Sequence, residues 1–423
     1  MRRPLFAHLL NRWTGLAALQ VLALVLLYFH WPPVELTLLV PEEEQQEWQT
    51  LIQTFQAQHP KTKIRLITTQ NLGGYLTKQL KENTCLPKGS PDLVYLDVIW
   101  VPEFAERKCL KDLSSRLTSK LRSQFTPQSI ADGEFSGKLY RIPFRSDVGM
   151  LFYRADLLAQ AGYQQPPTTY ADLIEMSQAI QRQNLAEWGF LWQGDRYEGQ
   201  IATFVEVLKG HGGFWINPQT LAVGLDQPQA IQAVQFLRKT LKTRISPSSV
   251  LTYSEVESLE QFKAGNTVFL RHWPRGRALL NAPDSQVAGK VKAVPMGLQR
   301  AGQQGAACNG SWGLGMSQTT QYPRQAWQAI RFFARETAQR QFTRETRFIP
   351  GNHEVVQQQE SPVIQQAIAS AVKRPPIPEY DQASEVLQAG LSQALNLDTP
   401  DDRVAEIMQT TAAETRQLLQ SPS

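Results

Sequence analysis

The side chains best suited to chemistry in this sequence are carboxylates and tryptophans placed at the ends of apolar runs. Asp147 stands between the apolar pieces at residues 139–143 and 148–153, beside Arg145 and Ser146. A carboxylate there is solvated, paired, or aimed at a polar ligand, because burying it alone is costly. Asp97 closes the run at residues 93–96 and precedes Val98-Ile99-Trp100, which makes it either a helix N-cap or a ligand contact. Trp273 sits in the turn Arg271-His272-Trp273-Pro274, and Trp312 follows Gly310-Ser311 and precedes Gly313. Rings flanked by Pro or Gly are either core residues or part of a cleft. Tyr197, on the loop at residues 194–199, packs locally or covers a ligand. Carboxylates accept charge-assisted hydrogen bonds from hydroxyls, and aromatic faces cover the apolar C–H face of a pyranose ring, so the chemistry this set suits is sugar recognition. Paired carboxylates with tryptophans also describe glycoside hydrolases, the alternative reading. Against it, no second acid with a nearby base stands out. No G-x-S-x-G turn occurs either, and the histidines are scattered.

The elements that must position these residues alternate between strand and helix. Residues 34–40 read as a strand, and residues 47–59 place Trp48, Leu51, Ile52 and Phe55 at helical spacing before Pro60 stops them. A second strand at 64–67, a second helix at 75–80 and a third strand at 92–97 complete a pattern that implies a largely parallel sheet covered on both faces. Ligands gather beyond the carboxyl ends of such strands, an edge that carries Glu42-Glu43-Glu44 and Asp97. By itself the acidic triplet reads as a helix-dipole feature. Residues 268–270 and 291–294 read as strands returning to a first lobe, and the carboxyl end is helical. Arg331, Arg335, Arg340, Arg344 and Arg347 read as a solvated face.

Composition narrows the class. The 423 residues are 42% hydrophobic and 19% charged, enough for two domains with proper cores. A mean hydropathy of −0.33 excludes a multi-span membrane protein. The formal charge of +5 falls to +2 once Arg2, Arg3 and Arg12, which precede the first acidic residue, are set aside, so no nucleic-acid partner is expected. Those arginines and the uncharged stretch 13–29 describe a signal sequence or membrane anchor over residues 1–33. With no small-x-small cleavage site and no lipid-bearing cysteine near residues 28–33, an uncleaved anchor is expected, holding the body at the periplasmic or extracellular face of the membrane. Three cysteines without C-x-x-C spacing argue against a metal site. An oxidising compartment permits a Cys85–Cys109 disulfide, which leaves Cys308 over.

The motif GKLYRIP, followed by DVGMLFYRADLL and PPTTYADL, resembles the extracellular solute-binding proteins of sugar ABC importers. The likeness continues in PDLVYLDVIWVPEFA, WGFLWQGDRYEG, AGNTVFLRHWPRG and NGSWGLGMS, in the order and near the spacing of the trehalose/maltose-binding proteins. It implies an α/β fold of the two-lobe periplasmic-binding-protein type (type II) with a central cleft. The expected lobes are residues 34–145 with 290–340, and residues 146–289 with 341–423. The resemblance further implies a ligand set in which Asp97 and Asp147 bind hydroxyls, Trp273 and Trp312 cover ring faces, and the Gly310 backbone permits close approach. Glu44 lies close to where relatives place a ligand-contacting glutamate, and Tyr197 completes the set. No catalytic residue and no cofactor are implied. The partners are a sugar and the permease subunits of an importer, and the protein is expected to be a monomer. The ligand class is a di- or small oligosaccharide or a glucosyl polyol: trehalose, maltose, sucrose or glucosylglycerol. Two arginines of the trehalose/maltose binders fall at Leu72 and Asn352 here, which removes donors from the sugar.

Overall fold

The computed structural model describes residues 33–69, 72–81 and 91–420. The 1–33 segment, apart from Pro33, and Cys85 lie outside the described residues. Cys109 is disulfide-bonded and Cys308 is a free, buried thiol. Among the described residues no helix is long and apolar enough to cross a membrane.

Two sheets form the framework. Strands β1 (Val34–Pro41), β2 (Thr62–Thr69), β3 (Leu93–Asp97), β4 (Arg141–Arg145) and a late strand, β9 (Trp312–Met316), assemble in the order β2-β1-β3-β9-β4. The first three run parallel, as the strand–helix alternation requires. β9 enters antiparallel to both β3 and β4. Its Gly313 has no room for a side chain: a Cβ there would lie 2.4 Å from the Ile142 carbonyl oxygen and 2.7 Å from the Arg141 guanidinium. The helix Gln45–Gln58 buries Trp48, Leu51, Ile52 and Phe55 in this lobe's core, where Trp48 stacks on Phe144 at 4.8 Å.

The second sheet holds β5 (Met150–Arg154), β6 (Trp188–Leu191), β7 (Thr267–His272) and β8 (Val291–Pro295) in the order β8-β5-β7-β6. Here the boundaries expected from the sequence need correction. Residues 290–295 belong to the second sheet, where β8 pairs antiparallel with β5 and is covered by the helix Pro362–Ala369. The return to the first sheet comes later, at residues 308–311. Nor does the chain leave the first lobe at residue 340. The helix Glu336–Thr346 still packs on Gln45–Gln58, and Phe342 and Phe348 complete that core.

The crossings lie side by side. Gly149 N donates to Cys308 O at 3.1 Å and Gly310 N to Asp147 O at 2.9 Å. On the other flank Ser146 N donates to Ile349 O and Gly351 N to Phe144 O, both at 2.8 Å. Residues 372–374 then run beside 307–309, with Asn309 N donating to Val372 O at 2.8 Å. Asn309 also gives its side-chain amide to Asp132 at 2.8 Å, so the Asn-Gly-Ser spelling is buried structure at a crossing.

Candidate functional site

A cavity of about 610 Å³ opens between the lobes, within the range of small-molecule sites. Asp97, Asp147, Trp273, Gly310, Trp312, Glu44 and Tyr197 all line it. β3 delivers Asp97 from its carboxyl end, and β9 places Trp312 directly opposite. β7 ends one residue before Trp273, and Tyr197 precedes the helix Glu198–Gly210.

At the floor, Arg145 is held between two buried carboxylates. Its Nη1 lies 2.5 Å from Glu44 Oε1 and its Nε 2.8 Å from Asp147 Oδ2. The guanidinium lies 3.8 Å from the centre of the Phe348 ring and 5.0 Å from that of Trp312. Glu44 also accepts from Trp48 Nε1 at 3.3 Å, so the residue that reads as a helix-dipole feature is a buried partner. One guanidinium cannot neutralise two carboxylates. Burial raises the Glu44 pKa, and burial, opposed by Arg145 and reinforced by Glu44, pushes Asp147 up to about 7. The Ile349 backbone opposes this rise, but Asp147 Oδ1 is buried with no close hydrogen-bond partner among the described residues.

This arrangement has a pH signature. A carboxyl group held near 7 in the folded chain, against about 3.9 unfolded, takes up a proton on folding between those values. Its contribution to stability is complete below about pH 4 and is lost as pH rises through about 7. Asp147→Asn, which keeps the shape and removes the charge, is expected to melt above the parent at pH 8, with the difference shrinking towards pH 5. Thermal melts at both values check this, and a difference independent of pH would contradict the charge count.

Asp97 is both a cap and a cleft residue. Its Oδ1 accepts from Ile99 N at 3.4 Å, and its Oδ2 accepts from Arg374 Nη2 at 2.7 Å. Arg374, which sequence reasoning missed, reaches across to the second lobe, where its Nη1 meets Glu198 at 3.0 Å. Tyr380 donates to the same carboxylate at 2.6 Å, as does Ser384. In the sequence Arg374 stands beside Lys373 and before two prolines, and nothing there marks it as buried.

The aromatic wall is held by a second missed residue, Glu255. It accepts from Trp273 Nε1 at 2.9 Å and from the Tyr197 hydroxyl at 2.5 Å. Beneath Trp273 lies the Arg271 guanidinium, 4.1 Å from the ring centre and itself paired with buried Glu206 at 2.9 Å. Gly310 is needed for this ring: a Cβ there would lie 2.6 Å from it. The close approach that the glycine allows is thus made first by Trp273. Arg275 closes the rim, donating to the Glu43 carbonyl of the first lobe at 3.3 Å.

Of the two positions where donors were expected to be missing, Leu72 lines the cleft. Asn352 does not. It is buried, and its side chain caps the helix His353–Gln359 through Glu354 N at 3.1 Å and Val355 N at 3.3 Å. Among the described residues no group of three or more His, Cys, Asp or Glu is gathered as a metal centre needs.

Residues 41–340 match the family model described as bacterial extracellular solute-binding protein. A probable ABC transporter-binding protein of Deinococcus radiodurans is 32% identical over 247 residues, covering 57% of each chain. A maltotriose-binding protein of Pyrococcus abyssi is 24% identical over 208 residues, 49% of this chain and 42% of that one. The matches thus span about half the length of these curated relatives. The maltose-bound MalE3 of T. maritima superposes with a TM-score of 0.80 at 27% identity, over 91% of this chain and 100% of that one. The fold is that of the type II periplasmic sugar-binding proteins.

Proposed function

This chain belongs to the bacterial extracellular solute-binding proteins, and from that premise we propose that it is the sugar-binding component of an ABC importer. It takes a di- or small oligosaccharide or a glucosyl polyol between its lobes and presents the closed form to the permease subunits. It works as a monomer outside the cytoplasmic membrane, tethered by its uncleaved amino-terminal segment. The observation that carries this reading is the convergence of Asp97 and Trp312 from the first lobe with Trp273 and Tyr197 from the second on one cavity. Carboxylates and rings on opposite walls gain contacts only when the lobes close, and this difference is what allows a ligand to drive closure. The maltose and maltotriose in the names of two relatives support an α-glucoside. Leu72 in the cleft, where trehalose/maltose binders carry a five-donor guanidinium, favours a ligand with fewer hydroxyls to satisfy at that end.

A thermal-shift panel of maltose, trehalose, sucrose and glucosylglycerol tests this directly. At least one is expected to raise the midpoint by several degrees at saturation, since a ligand bound only by the folded state stabilises it by mass action. No shift with any of the four, or release of monosaccharide from them on incubation, would overturn the reading.

A further inference from the structure

A second cavity, of about 780 Å³, lies between the lobes and shares no lining residue with the first. Arg277 and Asn281 approach it from the second lobe, on and just beyond the helix Gly276–Leu280. Arg344 and Arg347 approach it from the first lobe, on and just after the helix Glu336–Thr346. Among the described residues Glu360 is the sole carboxylate in the lining, and it is already used by Arg277 Nη1 at 3.2 Å.

The arginines that read as a uniform solvated face therefore divide. Arg340 is engaged, with Nε on Glu336 at 2.7 Å and Nη2 on Gln358. The guanidiniums of Arg344 and Arg347 are exposed and have no hydrogen-bond or ion-pair partner among the described residues. Arg347 also holds the left-handed position that ends its helix, at φ 62°. Glycine fills that position at lower backbone cost, so the arginine is kept there at some expense. Cations from two lobes facing one cavity repel as the lobes approach.

We propose that this cavity binds a tetrahedral oxyanion, of the inorganic phosphate or sulfate class, that bridges the lobes. Guanidinium forks match such an ion bidentately, and an anion shared by Arg277 on one side and Arg344 and Arg347 on the other replaces repulsion by charge-assisted hydrogen bonds. The short helix that carries Arg277 also follows Arg275 at the rim of the sugar cleft. One rigid piece thus forms part of both walls, so occupancy of either cavity biases the other, and by linkage the effect is reciprocal.

The test melts the full chain without sugar in potassium phosphate, in potassium sulfate and in potassium chloride at matched ionic strength. Phosphate or sulfate is expected to raise the midpoint by about 2–4 °C over chloride. The double variant R344Q/R347Q is expected to melt at or slightly above the parent in chloride, since the cations it lacks repel there, and to lose the anion-specific part of the rise, and E360Q to enlarge that part. Phosphate and sulfate raise the midpoint of parent and variant alike by preferential exclusion, so the site is read from the difference: equal midpoints in all three salts, or a rise as large in R344Q/R347Q as in the parent, would overturn the proposal. Because no sugar is present, either outcome is independent of which ligand the first cleft takes.

Discussion

Replacing Arg145 with methionine is expected to cost the folded protein about 3–5 kcal/mol at pH 8. The reason is asymmetry. Burying the triad as a whole gains little, since desolvation offsets the attraction, but removing the central cation leaves Glu44 and Asp147 side by side, each 1% exposed, with only Arg275 at the rim to oppose Glu44. Methionine preserves much of the contact with Phe348 and Trp312, so packing alone does not account for a loss of that size. Denaturation in urea measures it, and the deficit should shrink at pH 5, where the two carboxyl groups can accept protons instead. The triple variant R145M/E44Q/D147N should recover much of the deficit at pH 8. A single variant within about 1 kcal/mol of the parent would mean that the carboxylates reach water more easily than their burial implies.

Truncating either cleft tryptophan should weaken sugar binding by about 1–3 kcal/mol, or roughly 5- to 150-fold in Kd, on the scale of stacking against an aromatic face. The two substitutions should differ in their side effects. Trp273→Ala also removes the indole donor to Glu255 and uncovers Arg271, so the Tyr197 side of the wall loosens as well. Trp312→Ala leaves that wall intact but strips one face of the Arg145 guanidinium. Both rings are half-buried, so folding should suffer less than affinity. Calorimetry with the sugar identified in the thermal-shift panel decides the matter: parental affinity in either variant would remove that ring from the site.

Asp97, Asp147, Trp273 and Trp312 stand out in the sequence because each lies at the edge of an apolar run, but that position alone leaves a cap, a solvated charge or a core ring open, and it is the resemblance to the sugar binders that directs them to a cleft. Arg374 and Glu255 were not. The partner of Arg374 lies 277 residues away, and nothing in its neighbourhood marks a charge that will be buried by both lobes. Glu255 follows Ser254 at the start of a helix, in a capping box completed by Glu257, so its sequence context is fully explained by local structure. The strand Val291–Pro295 reads as first-lobe in the sequence, although it pairs in the second sheet, for a related reason. A strand's residues report which faces are buried, but not which neighbour supplies the hydrogen bonds.

The position of β9 sets the order in which the molecule can be finished. It is wedged between β3 and β4, so the first sheet lacks its fourth strand until residue 316 has been made, whereas all four strands of the second sheet precede it. The amino-terminal sheet is begun first and closed last, although the second lobe still awaits its carboxyl-terminal helices. Sheets closed by such distant pairings form slowly, and incomplete ones remain loose. The leading part of the chain therefore waits unlocked for residues 312–316, and the strand that closes its sheet is the one that brings Trp312 to the cleft, so the first sheet and the cavity wall are finished in a single step.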